Sequence, residues 1–80
     1  RQRADLVRAQ QQLREALQMA EELGASDIAM DARLALAECA RVEGDHDRAL
    51  RLYEAQVRWA ERQRAFEGEV LGRLGLALLE

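Results

Sequence analysis

A few side chains in this sequence have the types that chemistry needs. His46 stands between Asp45 and Asp47, an imidazole flanked by two carboxylates. Metal binding requires three or four convergent ligands, usually with further His or Cys residues. The chain has one His and one Cys, so the trio reads as a helix start, with an aspartate capping and the imidazole packing at the turn. Cys39 lies on the apolar side of its run. A nucleophile there would need a base and an activating environment, and no partner can be named, so a packed thiol is expected. Glu15, Glu21 and Glu22 have no spacing that marks an acid–base pair. Asp47 with Arg51 and Glu54 with Arg58 fall at i,i+4, where they read as surface ion pairs contributing a few tenths of a kcal/mol. No phosphate-cradling glycine loop, Ser/His/Asp set or metal-ligand spacing is present. The reading is therefore non-catalytic, with no metal and no cofactor.

These residues must be placed by helices. Ala, Leu, Glu, Arg and Gln dominate and proline is absent, a composition that favours helix and is hard to reconcile with a sheet. Eighty residues make one domain, and a chain this short buries only about 60% of its unfolded surface, so its core is thin. The net charge is −3 and every basic residue is Arg, which fits a coding bias toward GC-rich codons. Arg and Glu mix along the chain and form no basic stripe, which excludes a nucleic-acid footprint. No apolar run reaches membrane-spanning length and no signal segment opens the chain. A single thiol allows no internal disulfide and fits a reducing cytoplasm. The first residue, Arg1, suggests a fragment of a larger protein or a processed chain.

Periodicity divides the chain into four helices. Leu6, Ala9, Leu13, Ala16, Leu17, Ala20 and Leu23 predict the first, over about 4–23. Gly24 suits a left-handed cap, and Ser26 and Asp27 are candidate N-caps for the second, over about 27–43. In the stretch EGDHDRALRLYEAQ, Gly44 closes that helix and Asp45 or Asp47 starts the third, over about 46–63. No glycine ends the third helix; Arg62, Gln63 and Arg64 occupy its last turn. Val70, Leu71, Leu74 and Leu78 carry the fourth, over about 67–80.

The helices repeat. Shifted by 40 residues, Ala9, Ala20, Glu21, Ala25, Leu34, Leu36 and Ala37 fall on Ala49, Ala60, Glu61, Ala65, Leu74, Leu76 and Ala77. Periods of 20–50 residues mark solenoids, whose units bury each other's faces. The segment from Leu34 to Gln56 resembles a tetratricopeptide repeat. Leu36–Ala37 stand for its leucine and small residue, Gly44–Asp45 for its turn, Ala49 for its alanine and Tyr53 for its aromatic. Leu71, Leu74, Gly75 and Leu78 match the first helix of a following repeat, with a local period of 38 rather than 40; the two registers stay open. The family's usual period is 34, so the likeness is to the extended variant of bacterial signalling and transcription regulators and of kinesin light chains. Arg33 and Ala40 replace a bulky residue and an aromatic, and no proline ends either repeat.

The resemblance implies an all-α fold of four antiparallel helices, about two helix-turn-helix repeats cut out of phase from a right-handed α-solenoid. It implies a protein- or peptide-binding scaffold whose first-type helices line a concave face. With Ala37 as the small residue, Asp31, Leu34, Glu38 and Arg41 face that groove, joined by Glu69, Arg73 and Leu76 within two residues of register. Apolar side chains would supply burial there while Arg and Glu select polar groups. A second expectation is self-association as a homodimer, because Leu71, Leu74 and Leu78 crowd the last helix without a polar cap. Trp59, at the edge of its helix's apolar stripe, would cover the next helix or anchor a partner. A helix-turn-helix DNA reader is disfavoured by long helices and acidic faces.

Overall fold

A computed structural model describes residues 2–80, with side chains from Arg3 onward. It contains α1 (Gln2–Leu23), α2 (Ser26–Glu43), α3 (His46–Gln63) and α4 (Phe66–Leu78), and no strand among the described residues. The boundaries lie within two residues of those predicted. The class is all-α.

One turn occurs three times. Gly24, Gly44 and Arg64 each adopt a left-handed backbone, with φ of 72°, 85° and 54°. The next N–H, on Ala25, Asp45 and Ala65, bonds back to the carbonyls of Ala20, Ala40 and Ala60 at 2.8, 2.9 and 2.8 Å. This paired closure satisfies carbonyls that a helix end otherwise leaves orphaned. All three alanines are buried, so each turn is tied to a point where only a methyl fits. The turns are 20 residues apart and equivalent helix ends 40 apart, at Leu23 and Gln63.

The turn also corrects the predicted caps. It makes Ala25 the N-cap of α2, with no side-chain bond, and Ser26 is already the first helical residue. Of the three described caps, only that of α3 falls on a capable side chain: Asp45 accepts from the Arg48 N–H at 3.2 Å. The Asp47–Arg51 and Glu54–Arg58 pairs are not among the ion pairs formed by the described residues. Long exposed side chains gain too little there to be held together.

Each helix packs on the next in sequence, and α2 also approaches α4. The backbone measures 39 × 33 × 15 Å, a slab about as thick as two packed helices. The core joins Ala37 and Ala40 of α2 to Ala49 and Tyr53 of α3, with Leu34, Leu52, Leu76 and Leu79 around it. Glycines at i, i+4 and i+7 bring α4 onto α3. Gly68, Gly72 and Gly75 face Ala60, Val57 and Tyr53, so numbers fall along α3 as they rise along α4. A Cβ at Gly72 would lie 2.7 Å from Val57 Cγ2, and one at Gly75 would overlap the Tyr53 ring.

Two polar networks fix the register. Arg48 donates to Gln10 at 2.9 Å, and Gln10 donates to Glu43 at 3.1 Å. Arg33 donates to the fully buried Gln56 at 2.7 Å, and Gln56 donates to the Gly68 carbonyl at 3.5 Å. No buried side-chain nitrogen or oxygen among the described residues lacks a partner. Satisfied networks of this kind specify one arrangement, because any slip leaves a desolvated group unpaired.

Candidate functional site

The side chains of α2 and α4 meet in an apolar groove of about 170 Å³. Leu34 and Glu38 come from α2, Leu71, Leu74, Gly75 and Leu78 from α4, and Tyr53 of α3 forms the floor. Tyr53 is buried while Leu71, Leu74 and Leu78 stay 36%, 55% and 58% exposed. The groove thus has a rigid floor and a leucine wall with unburied area.

One end is polar. Glu38 takes hydrogen bonds from Arg41 on the same helix and, at 3.3 Å, from the Tyr53 hydroxyl. Hydrogen bonding from Arg41 holds the Glu38 carboxyl below its usual range. Burial, and after it the Glu38 charge, pushes the Tyr53 phenol up. Glu38 is therefore an anion and Tyr53 a neutral donor at neutral pH. Asp31 lies exposed one turn before Leu34.

The three turns recur at 20 and 40 residues. Leu71, Leu74 and Leu78 are the 40-residue counterparts of Asp31, Leu34 and Glu38, and they, not Glu69, Arg73 and Leu76, share the groove with α2. Leu76 packs against the core cluster. Arg73 binds Glu61 of α3 and Glu69 of α4, both at 2.9 Å. The 38-residue match is a property of the leucine spacing, whereas the turn geometry repeats at 20 and 40. The leucines expected to drive self-association are thus the wall of the groove expected to bind a partner.

Trp59 belongs elsewhere. Its ring is half-buried on α3 with the Arg33 guanidinium 5.4 Å from its centroid, a cation–π distance. It lies against the preceding helix, α2, and not the next one as expected, because the Arg33 guanidinium draws the ring to that side. Arg33 is itself buried and lies 3.7 Å from Glu21 of α1. Burial lowers its pKa and the Glu21 charge opposes that shift. A shallow cavity of about 190 Å³ opens beside it, between Glu21, Ser26 and Trp59. Its guanidinium is committed to Gln56, Glu21 and the indole, so the arrangement braces three helices. In the sequence Arg33 stands out only as a departure from the tetratricopeptide pattern, and no motif marks Gln56. The available signal was a glutamine inside the stripe Ala49–Tyr53–Val57–Ala60.

His46 Nε2 lies 3.2 Å from the Leu79 carbonyl, which ties the start of α3 to the end of α4. Cys39 is a free, half-buried thiol. Among the described residues, no three His, Cys, Asp or Glu side chains converge as metal ligands, and no helix is long and apolar enough to cross a membrane. Compared with known proteins, the chain matches no family model, no curated protein and no solved structure.

Proposed function

We propose that the chain is a non-catalytic helical-repeat scaffold of tetratricopeptide type, working in the cytoplasm and holding an apolar segment of a protein partner in the groove between α2 and α4. The observation that carries this reading is the leucine wall. Three exposed leucines stand beside a buried tyrosine floor, with the hydrogen-bonded Glu38 and Tyr53 hydroxyl at one end. Apolar area with a polar rim is the anatomy of a docking surface. The 40-residue recurrence of helix ends and turns supports two units of a right-handed α-solenoid, with α2 and α4 as its concave, first-type helices.

The alternative is a homodimer through the same wall. It is favoured by the further exposed side chains Phe66 and Val70 on α4, which extend the apolar area beyond the groove.

The test is selection of peptides from a displayed library against the protein, followed by titration of the selected peptides against Leu71→Asp and Leu74→Asp. Both side chains are exposed, so both variants should keep their helical circular dichroism. Binding should fall at least tenfold. Undiminished binding to both variants would place the partner elsewhere and sink this reading.

A further inference from the structure

The groove has an electrostatic direction that narrows what it can hold, an inference resting on the docking reading above. Helix periodicity puts Asp27, Asp31, Leu34 and Glu38 on one stripe of α2. Their counterparts on α4 are Glu67, Leu71, Leu74 and Leu78. Arg33 and Glu38 of α2 bond Gln56 and Tyr53 of α3, and Gly68 and Gly75 of α4 meet the same two residues in the same order, so the two stripes run in the same sense. The carboxylates of Asp27, Asp31 and Glu67 therefore gather at the end of the groove opposite Arg41.

All three are exposed, and none forms an ion pair with any described residue. Arg33, two residues from Asp31, is turned to Glu21, and Arg62 and Arg64, the nearest cations in sequence to Glu67, pair with none of the three. Asp27 and Glu67 lie in first helical turns, where the positive dipole end favours an acid by itself. Asp31 is a turn further on and gains no such support, and it stands one turn before Leu34 on the same stripe. Glu38, by contrast, is already neutralised by Arg41. The groove is therefore apolar in its middle, neutral at one end and uncompensated negative at the other.

We infer that the occupant is a cationic amphipathic segment of a protein partner. It would lay aliphatic side chains over Leu71–Leu78, a span of about 10 Å at helical rise. Lys or Arg would follow one to two turns beyond, over Asp31, Asp27 and Glu67. Complementary charge then sets the orientation of the segment and speeds its arrival.

Two synthetic helical peptides of about 14 residues test this. They share one leucine pattern; one carries three Arg at one end and the other three Glu. Fluorescence anisotropy at low and high salt should show the Arg peptide binding about tenfold or more tightly at low salt, with the preference shrinking as salt rises. Asp31→Asn with Glu67→Gln should erase the preference while helical content stays unchanged. Equal binding of the two peptides overturns the inference and leaves the groove reading standing. Binding by neither, or a stable homodimer that offers neither a site, overturns both. A preference that survives Asp31→Asn with Glu67→Gln overturns the acidic end as its source.

Discussion

At the scale of single residues, Gln56 and Tyr53 matter most. Gln56 is fully buried and bonds both Arg33 and the Gly68 carbonyl. Gln56→Ala leaves Arg33 buried without its acceptor and opens a void, which should cost about 2–4 kcal/mol in urea unfolding. Trp59, the only tryptophan, reports the transition because it lies against Arg33. Arg33→Met combined with Gln56→Leu should cost less than Gln56→Ala alone, since an apolar pair leaves nothing unpaired. Tyr53 makes a second prediction, in pH. Its folded pKa is raised by burial and by Glu38. Its contribution to stability is therefore complete below the unfolded value of about 10 and is lost as pH rises through the folded value. As the only tyrosine, it can be titrated by phenolate absorbance, and Tyr53→Phe should remove the alkaline slope. Glu38 acts in the opposite sense. Its pKa is lowered by Arg41, so its contribution is present above about pH 4.3 and lost as pH falls through the folded value. The effect should be small, because the carboxyl is half exposed.

At the scale of elements, the recurring turn and the glycine face of α4 set the geometry. The third turn asks a non-glycine residue, Arg64, to hold φ of 54°, where L-residues are strained by about 1–2 kcal/mol. Arg64→Gly should relieve part of that and raise stability by about 0.5–1 kcal/mol in thermal or urea unfolding. Gly44→Ala, with φ of 85°, should do the reverse. On α4, Gly72→Ala meets the Val57 side chain at 2.7 Å and its backbone nitrogen at 3.3 Å. The backbone cannot yield as a flexible side chain would. The variant should lose about 1–3 kcal/mol, read as a lower urea midpoint. It should also weaken peptide binding, because α4 carries the leucine wall.

At the scale of the whole molecule, the question is whether the wall meets a partner or a second copy. The 9.1 kDa chain is a slab whose apolar side chains are far from all buried. The docking reading expects light scattering to give the monomer mass across a hundredfold range of concentration. A dimer that Leu74→Asp dissolves would favour the alternative. In the slab α1 packs on α2 and reaches α3 through the Gln10–Arg48 hydrogen bond, while α4 packs on α3 and α2.

Much of this was legible in the sequence. Alanine and leucine at three- and four-residue steps determined four helices, because the helical period leaves few ways to bury such a pattern. Gly24, Gly44 and Asp45 determined two turns, because they supply the positive φ and the capping oxygen that those turns use. The family resemblance implies that Leu34 and Glu38 face a groove, and both line the one between α2 and α4. The tertiary structure decided what depends on two helices at once. It paired Arg73 with Glu61 of α3 and with Glu69 of its own helix, set Leu76 against the core and put Leu71, Leu74 and Leu78 in one groove with Leu34. It also gave Gln56, Gly68 and Gly72 their roles, and required the left-handed turn at Arg64 that no glycine announced. Periodicity fixes which face of a helix is apolar. Which residues of that face meet a neighbour depends on how far the helices slide along each other, and here buried polar partners and glycine contacts, not the apolar pattern, set that slide.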